Sequence, residues 1–306
     1  MEYPDFTPFF KIHEHEGSTY QPGLRKWLLS QPDIKTLVET GHLAHHPEWR
    51  IFDCRHDLAV PELGERQYRE SHIPGARFAH LDRDLSAPKT GTNGRHPLPD
   101  PKSFAAWLGA QGLKTSDQVV AYDAGSGAMA ARLWWLLRWA GHEAVAVLDG
   151  GFSKWVKENR PLSAAISEFK KTDFSAKADP TLPVNVSFLE SHREECLLLD
   201  ARAPARYRGE AEPIDPVAGR IPGALNRHNA ENMTEEGVFK SSEVLRTEFR
   251  TILGGRPISQ VVNYCGSGVA ACHNLLAMEI AGLPGARLYA GSWSEWIADP
   301  KRPIAR

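Results

Sequence analysis

The chain has 306 residues, 42% of them hydrophobic and 24% charged, with a formal net charge of -2. Because this balance is ordinary for a globular protein and lacks a basic excess, we expect no nucleic-acid partner, and the length predicts about two domains. No stretch approaches the roughly 18 apolar residues of a membrane span, and residues 1–20 lack the apolar core of a secretion signal, so we expect neither.

The four cysteines, at positions 54, 196, 265 and 272, form no Cys-x-x-Cys pair and are too sparse for a disulfide framework in a chain of this length. Disulfides persist mainly in oxidising compartments, so free cysteines suit a reducing one. We therefore expect a cytoplasmic protein.

The chain begins with residues 1–30, whose three prolines predict an irregular N-terminal arm. Residues 49–55 then predict a short strand that ends in Asp-Cys-Arg, and the sequence His-Ile-Pro-Gly-Ala at 72–76 predicts a loop leading into another strand. Further on, strands such as 144–148 alternate with helices such as 130–139. This alternation predicts parallel βαβ units with helices on both faces of a sheet.

The second half of the chain repeats these elements in the same order. A strand followed by Asp-x-Arg recurs at 197–202, and Ile-Pro-Gly-Ala recurs at 221–224. Residues 119–127 match 261–268 when Ala124 is counted as one inserted residue. A duplication with a period near 140 residues predicts two homologous α/β domains rather than a solenoid, whose repeats are about 20 to 50 residues long.

Cys265 lies in the strand-to-helix loop of the second copy. The apolar run 261–264 predicts a buried strand, and loops at the carboxyl ends of such strands bind ligands in α/β folds. Gly266 and Gly268 allow the backbone N–H groups to turn inward, and together with the following helix N-terminus they favour a thiolate. We predict a nucleophile, the alternative being a buried small hydrophobic residue.

Asp123 stands in the first copy where Cys265 stands in the second. Because the first copy lacks the cysteine, we expect it to be chemically silent. The predicted segments are the N-terminal arm at 1–30, a non-catalytic domain at 31–160, a linker at 161–183 and a catalytic domain at 184–306.

The duplication, the two Ile-Pro-Gly-Ala sequences and the sequence Cys-Gly-Ser-Gly-Val-Ala-Ala-Cys-His at 265–273 together resemble the two-domain rhodanese sulfurtransferases. The likeness covers roughly residues 30–300. It implies two tandem rhodanese-like domains and an enzyme whose cysteine takes a sulfur atom from a donor, holds it as a persulfide, and passes it to a nucleophile.

The residues that follow Cys265 indicate which sulfur donor the enzyme would use. Within the family, Cys-Gly-Ser-Gly-Val is typical of 3-mercaptopyruvate sulfurtransferases, whereas thiosulfate-preferring members usually carry basic residues after the cysteine. The resemblance implies that Arg206 binds the donor, and a guanidinium can hold a carboxylate with two hydrogen bonds. An ion pair is the alternative for Arg206. The N–H groups of the loop would complete the donor site, at Gly266, Gly268, Val269 and Ala270.

Many mercaptopyruvate enzymes have a second arginine some nine residues further on, where this chain has Asp215. The resemblance also implies that Ser267 and His72 handle the proton that the pyruvate enolate needs. The alternative for His72 is a loop residue that caps backbone groups. The sequence Gly-Arg-His-Pro at 94–97 belongs to a long polar loop that could reach the cleft between the domains, and we expect it to be solvated.

Cys272 lies seven residues after Cys265, which is about 10 Å along a helix and too far for a disulfide. We expect it to be a buried helix residue. Asp53 and Asp200, which end matching strands, are expected to fix Arg55 and Arg202 structurally.

The resemblance predicts transfer of sulfur from 3-mercaptopyruvate through a Cys265 persulfide to a thiol, to cyanide or to a thioredoxin-like protein, with no metal or organic cofactor. The alternatives are a thiosulfate:cyanide sulfurtransferase and a sulfur-carrier or redox-sensing module without turnover. A Cys-x5-Arg phosphatase would need arginine where Ala271 stands. A dinucleotide site at 125–130 is disfavoured because its duplicate lacks the acidic residue that binds ribose.

Overall fold

The computed structural model describes residues 35–306, so the arm predicted at 1–30 lies outside the described residues. The strands of the first half are β1 Leu37–Val38, β2 Arg50–Asp53, β3 Arg77–Phe78, β4 Val119–Tyr122 and β5 Val145–Leu148. Its helices are α1 Thr40–Ala44, α2 Leu63–Glu70, α3 Pro101–Ala110, α4 Ala128–Trp139 and α5 Gly151–Lys157.

The second half has the strands β6 Pro183–Val184, β7 Leu197–Asp200, β8 Leu225–Asn226, β9 Val261–Tyr264 and β10 Arg287–Tyr289. Its helices are α6 Val186–His192, α7 Pro204–Tyr207, α8 Ser242–Leu253, α9 Val269–Ile280 and α10 Ser292–Trp296. Short 3-10 turns occur at Arg193–Glu195, Asn229–Asn232 and Ile258–Gln260. Within residues 35–306, no helix is long and apolar enough to cross a membrane.

The strands form two five-stranded parallel sheets within residues 35–306, in the orders β1-β5-β4-β2-β3 and β6-β10-β9-β7-β8. The second order is the first with every strand number raised by five, which confirms the duplication inferred from the sequence. The central strands β4 and β9 are buried throughout, as expected of parallel strands covered on both faces. The predicted α/β class is confirmed.

The Asp-x-Arg sequences after β2 and β7 form the same buried corner in both domains. Nη2 of Arg55 donates to Asp53 at 2.6 Å, and Nη2 of Arg202 donates to Asp200 at 2.7 Å. The Tyr122 hydroxyl, on the neighbouring strand, also donates to Asp53 at 2.6 Å. Since a buried carboxylate is costly unless it is paired and hydrogen-bonded, each aspartate requires its arginine. The expectation that these aspartates fix their arginines is confirmed.

One apolar core is shared by the two domains. Helices α4 and α9, which follow the two copies of the duplicated loop, pack against each other across the domain boundary, and their apolar side chains belong to one buried cluster. An ion pair between Arg138 and Glu279, 3.2 Å apart, joins the same two helices. Two smaller clusters cover the outer faces of the sheets. The two domains therefore form one compact unit.

The chain between α5 and β6 runs as an extended segment along the first domain. The N–H of Thr172 donates to the carbonyl of Gly109 at 2.9 Å, and the N–H of Lys177 donates to the carbonyl of Ala140 at 2.8 Å. Phe174 packs against the shared core. The linker predicted at 161–183 overlaps this segment, and Pro183 already belongs to β6.

His273 of α9 is fully buried where the domains meet. Its ring stacks on Phe239 with centroids 4.6 Å apart, and its Cδ2 lies 3.4 Å from the position of a Cβ added at Gly127 of the first domain. The Asn232 side-chain amide lies 3.1 Å from its Nδ1. Burial lowers the pKa of His273 from 6.5 to about 3.

This buried imidazole predicts acid sensitivity. Below pH 6.5 the unfolded chain binds a proton at His273 that the folded protein does not accept until about pH 3, so its contribution to stability is complete above pH 6.5 and falls as the pH drops. The free energy of unfolding should decrease by about 1.4 kcal/mol per pH unit between about pH 6 and 4 from this residue. Urea unfolding at several pH values should show a shallower slope for His273→Asn and an unchanged slope for the control His45→Asn, at an exposed site. Equal slopes in wild type and His273→Asn would contradict this account.

Candidate active site

Cys265 directly follows β9, the central strand of the second sheet, and its side chain is buried. The loop ends at Gly268, the residue just before α9. Its φ of 81° is a left-handed conformation that favours glycine. A Cβ atom at 268 would also lie 2.4 Å from the carbonyl oxygen of Ala290. Glycine is therefore required at 268 both by the backbone conformation and by the available space.

The loop forms a cradle of backbone N–H groups around the sulfur. Gly268 N–H donates to Cys265 Sγ at 3.1 Å, and Ser267 N–H donates at 3.5 Å. Val269 and Ala270 open α9, and the N–H groups of a first helical turn have no acceptor within the helix. Of the predicted loop residues, Ser267 and Gly268 thus contact the sulfur directly, and their N–H groups would stabilise it as an anion.

The first domain contains the same cradle, filled by a carboxylate. Oδ1 of Asp123 accepts from the N–H groups of Gly125 and Gly127, each at 2.9 Å. Its Oδ2 accepts from Met129 N–H at 2.9 Å and from Ala130 N–H at 3.4 Å. The duplicated loop is therefore an anion-binding turn in both domains, and the first copy supplies its own anion.

Ser267 contacts a histidine from the first domain. Its Oγ lies 2.7 Å from Nδ1 of His96, and Nε2 of His96 lies 3.4 Å from Oδ1 of Asp82. Burial, with the Arg132 guanidinium next in effect, lowers the pKa of His96, so the ring is neutral at pH 7 and can accept a hydrogen bond from a hydroxyl. The three side chains thus lie in a row beside Cys265, an arrangement suited to proton transfer.

The expectation that 94–97 is a solvated loop is wrong. His96 is buried, its carbonyl accepts from Nη2 of Arg132 at 3.0 Å, and the N–H of Arg95 donates to Ser294 Oγ at 3.0 Å. A Cβ at Gly94 would lie 2.7 Å from the carbonyl oxygen of Gly291. The backbones of the two domains are in close contact here, so the loop belongs to the domain interface.

The pairing of His72 with Ser267 is not found. His72 is buried, its Nδ1 lies 2.7 Å from the carbonyl of Tyr68, and its ring stacks on the Tyr68 ring with centroids 4.3 Å apart. Its backbone pairs with Ser163. Tyr68 belongs to the cluster on the outer face of the first sheet, whereas Cys265 belongs to the shared core. His72 therefore anchors the interdomain segment, and His96 takes the place expected for it.

Arg206 lies beside the loop that follows Cys265. Its Nη2 donates to Glu212 at 2.7 Å and to Asp215 at 3.0 Å, so the ion pair of the alternative interpretation is present. The same Nη2 lies 3.4 Å from the position of a Cβ added at Gly266. The guanidinium is thus both held by carboxylates and close to the residue that follows Cys265.

The family model described as Rhodanese-like domain matches residues 33–158 and 186–299. The chain belongs to the rhodanese family. The matched ranges contain the two sheets and both copies of the cradle, so the predicted resemblance is confirmed.

Individual rhodanese relatives match most of the chain. A protein of Pseudomonas aeruginosa named "Probable 3-mercaptopyruvate sulfurtransferase" is 48% identical over 281 residues, which cover 90% of this chain and 99% of that protein. The human 3-mercaptopyruvate sulfurtransferase is 38% identical over 252 residues, covering 78% and 82% of the two chains. The solved structure of the Leishmania major 3-mercaptopyruvate sulfurtransferase matches with a TM-score of 0.78 and 29% identity, covering 90% of this chain and 76% of that one.

Cys272 does not share the chemistry of the rhodanese cysteine. It is a buried residue of α9, as predicted, and its thiol donates to the carbonyl of Gly268 at 3.2 Å. Burial raises the pKa of Cys272 to about 12, although the nearby Arg132 guanidinium opposes the rise. The thiol therefore stays protonated at neutral pH and is no competing nucleophile.

A cluster of possible metal ligands lies beside His96. Ligand atoms of His56, His80 and Asp82 fall within 4.8 Å of one another. However, Nδ1 of His80 already accepts from the N–H of Asp82 at 3.2 Å, and the Lys89 ammonium lies 3.3 Å from Asp82 Oδ1, where it competes with a cation. We therefore interpret these groups as the polar surroundings of the His96 ring, and the reaction below uses protein side chains.

Alanine in place of Gly268, the last glycine of the loop, should destabilise the protein. Gly268 and Gly223 have nearly the same φ, 81° and 82°, so alanine at either site should introduce left-handed strain of about 1–3 kcal/mol. A Cβ at 268 would also collide with Ala290, whereas nothing lies within 4 Å of one at 223. Urea unfolding should show a larger loss of stability for Gly268→Ala than for Gly223→Ala. Equal losses would mean that the loop can move away from Ala290.

Proposed function

We propose that this chain transfers sulfur from 3-mercaptopyruvate through a persulfide on Cys265 to a thiol or to cyanide. Sulfurtransferase activity agrees with the relatives, which carry that activity in their names at 48% and 38% identity over most of their lengths. The first domain, with Asp123 in its loop, contributes to the site without a nucleophile of its own.

The observation that carries the proposal is the pair of matching cradles. A persulfide has the connectivity of an aspartate side chain, with the inner sulfur in place of Cγ and the outer sulfur in place of a carboxylate oxygen. Asp123 shows which N–H groups reach such an outer atom, since its two oxygens accept from four of them. Their counterparts occupy the same positions of the second loop, where Gly268 N–H already donates to Cys265 Sγ at 3.1 Å, so we expect that turn to support an anionic outer sulfur.

In the first step the Cys265 thiolate attacks the sulfur of the donor. An S–S bond forms, the C–S bond of the donor breaks, and its electron pair moves into the pyruvate enolate. The proton of the donor thiol is transferred overall to C3 of the enolate, so the products are pyruvate and an ionised persulfide. The N–H groups of Ser267 and Gly268, which already contact Sγ, are placed to stabilise this charge.

The proton passes through Ser267 and His96. The neutral ring of His96 accepts from the Ser267 hydroxyl at Nδ1 and presents its Nε2 proton to Asp82, which favours that tautomer. The serine can then take the donor's thiol proton and return a proton to the enolate. We therefore assign to His96 the proton-transfer role expected of His72, and Ser267 has the role expected of it.

In the second step a nucleophile takes the outer sulfur. Cyanide attacks it, the S–S bond breaks, its electron pair returns to Cys265 as a thiolate, and thiocyanate leaves. A small thiol or a thioredoxin-like protein would react at the same sulfur. The described cysteines Cys54, Cys196 and Cys272 are free, which supports the expected reducing compartment, such as the cytoplasm.

The test is turnover with each donor. Purified protein should release pyruvate catalytically from 3-mercaptopyruvate in the presence of cyanide, and Cys265→Ser should release none. Measuring kcat/KM for thiosulfate in parallel decides between the two donors. A single stoichiometric burst without turnover would favour the carrier interpretation, and full activity in Cys265→Ser would remove the persulfide from the mechanism.

The two histidines can be separated by matched variants. His96→Ala should lower the rate of pyruvate release by about 100-fold, because a positioned acid–base group typically contributes that much or more. His72→Ala should lower the thermal stability but leave kcat of the folded fraction close to that of the wild type, since its ring contacts Tyr68 on the outer face. An equal loss of kcat in both variants would return the proton-transfer role to His72.

A further inference from the structure

Two guanidinium groups, one from each domain, meet over Gly266. A Cβ atom added there would lie 2.7 Å from Nη2 of Arg95 and 3.4 Å and 3.6 Å from Nη2 and Nη1 of Arg206. The φ of Gly266 is not in the left-handed region, so its conformation does not require glycine. A side chain here would have to displace the Arg95 guanidinium, so glycine leaves room for both groups beside the residue after Cys265.

Asp215 holds both groups in place. One of its oxygens accepts from Nη1 of Arg95 and the other accepts from Nη2 of Arg206, the second bond at 3.0 Å. Glu212 accepts from Nε and Nη2 of Arg206 at 3.0 Å and 2.7 Å. Both carboxylates are buried, with side chains 2% and 4% exposed. The two arginines are therefore fixed relative to each other before a substrate arrives.

Part of this array is still free to bind. Within residues 35–306, no protein group accepts a hydrogen bond from Nη2 of Arg95 or from Nη1 of Arg206, and both atoms face Gly266. Each guanidinium is planar and can donate to a carboxylate in a fixed direction. Two such donors from different elements can therefore hold one carboxylate between them.

The unpaired donors lie beside the residue that follows Cys265. In 3-mercaptopyruvate three bonds separate the sulfur from the carboxylate carbon. A donor this short, held by its carboxylate beside Gly266, keeps its sulfur in the neighbourhood of Cys265.

We infer that Arg95 of the first domain binds the donor's carboxylate together with Arg206, and that Asp215 is the positioning residue between them. This inference rests on the proposed function, because it assumes a carboxylate donor. It also accounts for the aspartate where a second arginine was expected, since Arg95 supplies that cation from the other domain. The first domain then contributes two groups to the site, Arg95 and its neighbour His96.

Comparing a charged sulfur donor with an uncharged one shows whether a mutation affects binding of the carboxylate. Thiocyanate formation is measured with 3-mercaptopyruvate and with its methyl ester, which keeps the sulfur and the keto group but lacks the charge. Arg95→Gln should lower kcat/KM for the acid by about 10- to 100-fold, as expected for a lost hydrogen bond to a charged group. The value for the ester should change by less than about twofold, because the ester makes no such bond. The loss for the acid should appear mainly in KM.

Two further variants control for structural damage. Arg95→Lys keeps the charge without the planar group, so it should fall between the wild type and Arg95→Gln for the acid. Arg83→Gln removes an exposed arginine of the same domain, one that pairs with Glu65 and Asp84, and should leave both donors unchanged. Thermal melting of each variant reports whether the fold is kept.

The outcomes distinguish this inference from the proposed function. If wild-type protein transfers sulfur from neither donor, the proposed function fails. If wild-type protein turns over the acid but Arg95→Gln loses activity equally for acid and ester, Arg95 only holds the loop, and the inference is overturned while the function stands. A selective loss for the acid supports the inference.

Discussion

The backbone N–H groups of one strand-to-helix turn are the feature on which the rest of the structure depends. In both domains the turn follows the central strand of a parallel sheet and directs its N–H groups at a single side chain. Such unpaired donors require an anion or a polar group, because burying them without a partner is costly. Asp123 meets that requirement permanently. Cys265 meets it with a sulfur that can change its bonding, so the same backbone serves structure in one domain and chemistry in the other.

The shared core explains why the domain without a nucleophile is needed. Because α4 and α9 pack against each other, the two cradles lie on either side of one interface, and the loop at 94–97 is pressed onto the second domain. Gly94 allows the backbones to approach without a Cβ between them. Arg132, on α4, holds the carbonyl of His96 and so links the packing of the helices to the position of the ring. A change in the interface would therefore move groups beside Cys265.

Much of the fold could be predicted from local pattern. The strands, the Asp-x-Arg corners and the position of Cys265 follow from residues close together in the chain, and the duplication supplied an internal check. His96 could not be found this way, because its contact with Ser267 joins residues 171 apart and depends on how two domains dock. The family resemblance implied His72 for this role, but the turn that contains it packs on the outer face of the sheet. The position of His72 in the sequence therefore did not show on which face of the sheet its side chain lies.

Asp215 shows that the charge of a binding site, too, cannot be predicted from local sequence alone. Many family members have an arginine at the position of Asp215. From the sequence alone, the aspartate therefore indicates that a group for binding the donor has been lost. In the folded chain it lies between Arg95 and Arg206, so the local charge is rearranged rather than reversed. A buried carboxylate at this site is stable only with cations close by, and Arg95 can approach because Gly266 has no side chain. Residues 95, 215 and 266 therefore depend on one another, although no local sequence pattern connects them.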